Sequence, residues 1–170
     1  ERPVFDLLLG TGDLSNEGSL EAYRHLQQYF TQLTDIHCWL PGNHDNRDNM
    51  ASVADRPLRL CRELRLGRWQ VLMLDSQVPG EVGGELGPAE LSLLEEALQS
   101  AAADDLFSLV CLHHQPVKIG CEWLDQQMVA DARTGESQPG DHLVDLVPGE
   151  LPALPRLRAL RDLDLEHLGI

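Results

Sequence analysis

Positive charge is scarce in this sequence: 13 Lys and Arg stand against 28 Asp and Glu, a formal charge of −15 with the histidines neutral. A surface this acidic repels phosphate backbones and anionic lipid, so neither nucleic acid nor a membrane is expected as a partner, and any phosphate chemistry needs a cation. Long apolar runs are also missing. The best, Leu106–Leu112, has seven residues and includes Ser108, far short of the roughly 20 that a membrane span requires. No charged-then-apolar leader opens the chain. It starts at Glu1 rather than Met, which leaves open that it begins inside a longer protein. The cysteines, Cys38, Cys61, Cys111 and Cys121, form no CxxC pair, and read as reduced structural thiols of a cytoplasmic protein rather than as metal ligands.

What remains is enough for one domain: at 170 residues a chain buries roughly 70% of its unfolded surface without disulfides. Short apolar runs at Val4–Leu9, Ile36–Leu40, Trp69–Leu74 and Leu106–Leu112 have the length and composition of buried strands. Helical spacing lies between them. Leu20, Tyr23, Leu26, Phe30 and Leu33 share one face behind the capping residue Ser19, and Pro88 opens a second helix through about Ser100. A third helix is expected over about Ala51–Leu64, interrupted by Pro57. Strands alternating with helices predict an α/β layered domain. From Asp131 onward, Pro139, Pro148, Pro152 and Pro155 with Gly135, Gly140 and Gly149 break every period, so a loop or linker is expected over 131–156.

The chemistry follows three of the apolar runs. Val4–Leu9 leads into Gly12-Asp13, Ile36–Leu40 into Gly42-Asn43-His44-Asp45, and Leu106–Leu112 into His113-His114-Gln115-Pro116. Ligands of open α/β sheets collect beyond the carboxyl ends of strands, so clusters some 100 residues apart in sequence can converge on one site. Carboxylate, amide oxygen and imidazole together suit a divalent transition metal such as Mn, Fe or Zn. Two such ions about 3.5–4 Å apart can stabilise both the attacking and the leaving oxygen of a phosphoryl displacement.

These motifs resemble those of the calcineurin-like metallophosphoesterases. More narrowly, Gly12-Asp13-Leu14-Ser15 with Ser19 and Ala22-Tyr23, Leu74-Asp75-Ser76, and the histidine pair followed by Gly120-Cys121-Glu122-Trp123-Leu124-Asp125 resemble the bacterial class III 3′,5′-cyclic-nucleotide phosphodiesterases. The resemblance runs from about Val4 to Gln127. It implies a metal-dependent hydrolase that opens cyclic AMP to 5′-AMP by in-line attack of a hydroxide bridging two metals, in the cytoplasm of a bacterium. Residue by residue, Asp13 would bridge both ions, with Asn43 and His113 on the second. Asn43, His44 and His113 would also meet the substrate; His44 would protonate the leaving 3′ oxygen and Asp45 would orient it. His114 would support the ligands rather than join them, and Gln115 stands where such enzymes often carry a third histidine.

Two motifs of that family do not occur in this sequence. No Asp-x-His precedes Gly12-Asp13, and no glycine is followed by histidine, so Gly-His-x-His is absent. Asp35-Ile36-His37 matches the first by its letters but stands at the start of the second apolar run, between motifs it should precede, and is expected to be a decoy. His142 and His167 are expected on the surface. The implied fold is an incomplete α/β/β/α sandwich of mixed sheets: 1–130 as the core without its first strand, 131–156 as the linker, and 157–170 as a remnant of the C-terminal part, with Arg156-Leu157-Arg158-Ala159-Leu160 across that boundary resembling the strand that leads into Gly-His-x-His. The alternative is a truncated, non-catalytic remnant or interaction module, or another metallophosphoesterase activity. Oligomeric state has no signature in the sequence.

Overall fold

The structure, a computed structural model, describes residues 5–132. The segment from residue 133 on, with His142 and His167, lies outside these residues. The described elements are β1 (Leu8–Thr11), α1 (Leu20–Leu33), β2 (His37–Leu40), α2 (Arg47–Val53), β3 (Glu63–Leu66), β4 (Trp69–Met73), α3 (Gly87–Ala103), β5 (Phe107–Cys111) and the short α4 (Glu122–Asp125). β1 and β2 pair in parallel, with Leu8 opposite His37 and Thr11 opposite Leu40. In the second sheet β4 is central, antiparallel to β3 and parallel to β5. Both sheets belong to the expected mixed α/β class.

Alternation of side chains along each strand builds the layers. Leu8 and Trp39 face outward onto Tyr23, Leu26 and Phe30 of α1 and Met50 of α2. Leu9, Cys38 and Leu40 point the other way and meet Val71, Met73, Leu109 and Cys111, so the two sheets pack face to face. On the far side Leu72, Leu74, Val110 and Leu112 pack against Leu91, Leu94, Ala97 and Leu98 of α3. The order is therefore helix, sheet, sheet, helix. Strands covered on both faces read as continuous apolar runs, which is why β2, β4 and β5 were visible in the sequence. The seam is where truncation costs most: removing a buried Leu side chain such as Leu40 typically destabilises by about 2–5 kcal/mol.

The helices begin where their caps allow. Ser19 accepts from the Ala22 amide at the start of α1, and Asn46 does the same for Asn49 in α2. α3 has no side-chain cap of its own at Leu86. Asp131 supplies it from 45 residues away, its carboxylate accepting from Leu86 N at 2.9 Å and Gly87 N at 2.7 Å.

Two expectations differ from the structure. Of the expected strand Val4–Leu9, Val4 lies outside the described residues, and β1 runs over Leu8–Thr11, because parallel pairing with His37–Leu40 sets its register and carries it through Gly10 and Thr11, which have no apolar signal. The helix expected over Ala51–Leu64 is α2 followed by a single 3-10 turn at Pro57–Leu60 and then a strand, β3. Pro57 stops the helix, and Glu63-Leu64-Arg65-Leu66 alternates exposed with half-buried positions as an edge strand should. The two-residue link Gly67-Arg68 turns it back onto β4, with Leu66 opposite Trp69.

Candidate functional site

The loops after β1, β2, β4 and β5 meet at one end of the sandwich. Their close approach depends on two glycines. A Cβ at Gly12, which holds φ +93°, would lie 2.3 Å from His113 Nδ1, and one at Gly42 would lie 2.3 Å from both the amide nitrogen and Oδ1 of Asp13. Either would push the motifs apart. Asp13 itself sits at φ 51°, a left-handed conformation unusual for a non-glycine residue. That conformation accompanies a carboxylate whose Oδ1 accepts from the His44 amide at 3.1 Å.

His113 is the centre of the arrangement. Its Nδ1 lies 3.1 Å from the Thr11 carbonyl oxygen, which can only accept, so Nδ1 carries the proton. In the neutral ring the lone pair is then on Nε2, which faces Asn43 Oδ1 at 3.2 Å and Asp13 Oδ1 at 3.4 Å. An imidazole nitrogen, an amide oxygen and a carboxylate oxygen thus converge, and either a proton on Nε2 or a metal ion in its place supplies the positive charge that both oxygens face. A metal-binding histidine generally donates its second nitrogen to a carbonyl or carboxylate in this way. The donor set fits a divalent ion, held by Asp13, Asn43 and His113. It is a partial set: among the described residues, no group of three or more His, Cys, Asp and Glu side chains is placed to hold a metal.

The neighbouring residues hold this geometry. Asp45 is buried, and its carboxylate accepts four hydrogen bonds: from Leu14 N and Gly42 N at 3.0 and 2.9 Å on Oδ2, and from Ser15 N and the Tyr23 hydroxyl at 3.0 and 2.8 Å on Oδ1. Its oxygens are occupied in tying the β1 loop to the β2 loop, and they do not contact the His44 ring. The ring instead rests on the Asn16 carbonyl through Nδ1 at 3.1 Å, at an exposed position.

His114 turns away from the centre. Its Nε2 donates to the Val82 carbonyl at 3.1 Å, leaving Nδ1 to accept from the Ser76 hydroxyl at 2.8 Å. Burial, and then the neighbouring His113, lower its basicity, so the neutral tautomer suits both contacts. Asp35 and His37 lie at the opposite end of β2. The His37 ring is fully buried against Phe30 and Trp39, and Nδ1 accepts from Trp39 Nε1 at 2.9 Å. Burial and the Arg59 charge push its pKa down to about 4.

Several residues that hold the site carry no distinct chemical signal in the sequence. Tyr23 falls on the apolar face of α1 and looks like core, yet its hydroxyl donates to Asp45 and accepts from the Asn46 amide at 2.8 Å. Burial raises its pKa, keeping the phenol protonated. Gln77 donates through Nε2 to the carbonyls of Gly42 and Asp45, both at 2.6 Å, and joins the β4 loop to the β2 loop. Arg47 donates to Asp75 Oδ1 at 2.8 Å and to the Gln77 carbonyl at 2.6 Å, which places a guanidinium at the exposed rim.

The Calcineurin-like phosphoesterase family profile matches residues 1–147. Among curated proteins, the chain is 40% identical over 125 residues to the 3′,5′-cyclic adenosine monophosphate phosphodiesterase CpdA of Pseudomonas aeruginosa, covering 74% of this chain and 45% of that protein. It is 40% identical over 130 residues to the protein of the same name from Escherichia coli, covering 75% and 46%. To a 3′,5′-cyclic-nucleotide phosphodiesterase of Nostoc it is 34% identical over 133 residues, covering 78% and 49%. The chain spans about half the length of these relatives.

Proposed function

The chain belongs to the calcineurin-like phosphoesterase family, and from that premise we propose that it carries part of the catalytic centre of a metal-dependent phosphodiesterase acting on 3′,5′-cyclic AMP. The observation that carries this reading is the convergence of His113 Nε2, its ring held by the Thr11 carbonyl, with Asn43 Oδ1 and Asp13 Oδ1. The substrate is taken from the names of the relatives, and the acidic composition agrees with a cation being needed to admit a phosphate. Asp13, Asn43 and His113 would hold an ion of the Mn, Fe or Zn class. When bound, it supplies positive charge to the phosphoryl oxygens.

His44 is the proton donor in this reading. With Nδ1 anchored to Asn16 O, the imidazolium presents its Nε2 proton, and that is the proton delivered to the leaving 3′ oxygen. A positioned acid of this kind contributes about 10²–10⁴-fold. Asn43 and His113, next to the same oxygens, orient the phosphate, and Asp45 keeps Gly42 and Leu14 in place beneath them. Among the described residues no helix is long and apolar enough to cross a membrane, and the reading places the protein in the bacterial cytoplasm.

The donor count favours a second reading for this stretch alone. One carboxylate, one amide and one imidazole do not complete two metal sites, and the piece by itself would then be non-catalytic. The two are separated by adding the segments that carry Asp-x-His and Gly-His-x-His. That extended protein should release AMP from 3′,5′-cyclic AMP with Mn²⁺ present, and Asn43→Ala or His44→Ala should each remove at least about 100-fold of the rate. Undiminished activity in both variants would reject the assignment.

A further inference from the structure

Cys38 and Cys61, 23 residues apart in sequence, bring their sulfur atoms to 3.4 Å as free thiols. Cys38 lies in β2 and is fully buried, whereas Cys61 follows the 3-10 turn before β3 and is partly open to solvent. Both belong to the apolar seam between the two sheets. The more open cysteine touches the buried one through its sulfur, a pairing suited to an attacking and a resolving cysteine. A buried positive charge lies in the same region: Arg59, fully buried, keeps one guanidinium nitrogen without a hydrogen-bond partner, but the hydrogen bond to Cys61 and burial outweigh its charge and push the Cys38 thiol up, so Cys38 keeps its proton.

We propose that Cys38 and Cys61 are a reversible redox-modification site, closing to a disulfide on exposure to a hydroperoxide and so joining β2 of one sheet to the segment entering β3 of the other. The hydrogen bond from the Cys38 thiol lowers the Cys61 pKa to about 7, so thiolate is available near neutral pH. The Cys61 thiolate attacks a peroxide oxygen; the O–O bond breaks, hydroxide leaves and is protonated to water, and Cys61 becomes a sulfenic acid. The Cys38 sulfur then attacks the Cys61 sulfur, the S–O bond breaks, and the departing hydroxide takes the Cys38 proton as a second water. Two electrons pass from the sulfurs to hydrogen peroxide. The bond requires a sulfur separation of about 2.05 Å, and Cys61, outside any regular strand, is the partner able to move. The site depends on the sandwich packing and is independent of the phosphodiesterase reading.

The test is peroxide treatment of the full chain at neutral pH, alkylation, and mapping of the linked peptides without reduction. Expected are a Cys38–Cys61 link, loss of two of the four free thiols, recovery with dithiothreitol, and a melting midpoint roughly 5–10 °C above that of the reduced protein. The link and the rise should persist in Cys121→Ser and disappear in Cys61→Ser, chosen because its side chain is not fully buried. Oxidation of Cys121 alone, a Cys38–Cys111 link, or a Cys61 sulfinic acid without any link in the unmodified sequence would each overturn the proposal, whatever the stability of the variants.

Discussion

Asp45→Asn tests how the two central loops are joined. The carboxylate receives two donors on each oxygen, Leu14 N and Gly42 N on one, Ser15 N and the Tyr23 hydroxyl on the other. An amide in its place has one accepting oxygen, so in either orientation two donors face an NH₂ group. The less costly orientation puts the NH₂ toward Tyr23, whose oxygen can accept. That still strands the Ser15 amide and the phenol proton. An unpaired buried donor costs about 1–3 kcal/mol, and hydrogen bonds to a charged acceptor are the stronger ones. The expected loss is therefore about 3 kcal/mol, read as a fall in the urea midpoint at unchanged slope by fluorescence of the buried Trp39. Tyr23→Phe removes the phenol and leaves Asn46 N without its acceptor, for about 2 kcal/mol. Because the two residues share a hydrogen bond, the double variant should lose less than the sum, by about 1 kcal/mol. A loss below about 0.5 kcal/mol in Asp45→Asn would refute the reasoning. A carboxylate that merely aimed His44 would give that small loss.

Gly42→Ala places a Cβ 2.3 Å from Asp13 Oδ1 and 2.8 Å from His113 Nε2; Mn²⁺ affinity by calorimetry should fall about 10–100-fold, and unchanged affinity would count against the site. His37 is held neutral in the fold, its pKa lowered from 6.5 to about 4, so the unfolded chain binds the extra proton first. Stability is full above about pH 6.5 and declines as pH falls toward about 4, by about 3 kcal/mol in all. The difference in stability between the unaltered protein and His37→Gln should change across that window; a flat difference would contradict it. Asp131→Ala removes the only cap described for α3 and should cost about 1–2 kcal/mol by urea denaturation; no cost would mean that the contact is not made in solution.

The sequence revealed the layers through their burial. β2, β4 and β5 are covered on both sides and appear as apolar runs, while Ser19 and Pro88 marked α1 and α3 within a few residues of their starts. What escaped was set by pairing rather than by composition. β3 is four residues of Glu-Leu-Arg-Leu at an edge, too short and too polar to announce a strand, and β1 runs through Gly10 and Thr11 because β2 lies beside it. The site shows the same division. Asp13, Asn43, His44 and His113 were legible because their residue types at strand ends name a chemistry. Asp45 was legible from its motif, but its four hydrogen bonds were not: backbone and phenol donors converge on it from α1 and two loops, and no spacing in the chain encodes that. Tyr23 and Gln77 escaped for the same reason. The sulfur contact between Cys38 and Cys61 likewise exists only once the two sheets have packed.

The most direct test is a titration with Mn²⁺ while the histidine ring signals are followed by NMR, since the ion broadens nearby nuclei steeply with proximity. The His113 ring should broaden first, at substoichiometric Mn²⁺, with His44 close behind and His37, at the far end of β2, affected least; Asn43→Ala should abolish the selectivity. Equal broadening of all histidines, or selective broadening that survives Asn43→Ala, would contradict a metal held by Asp13, Asn43 and His113.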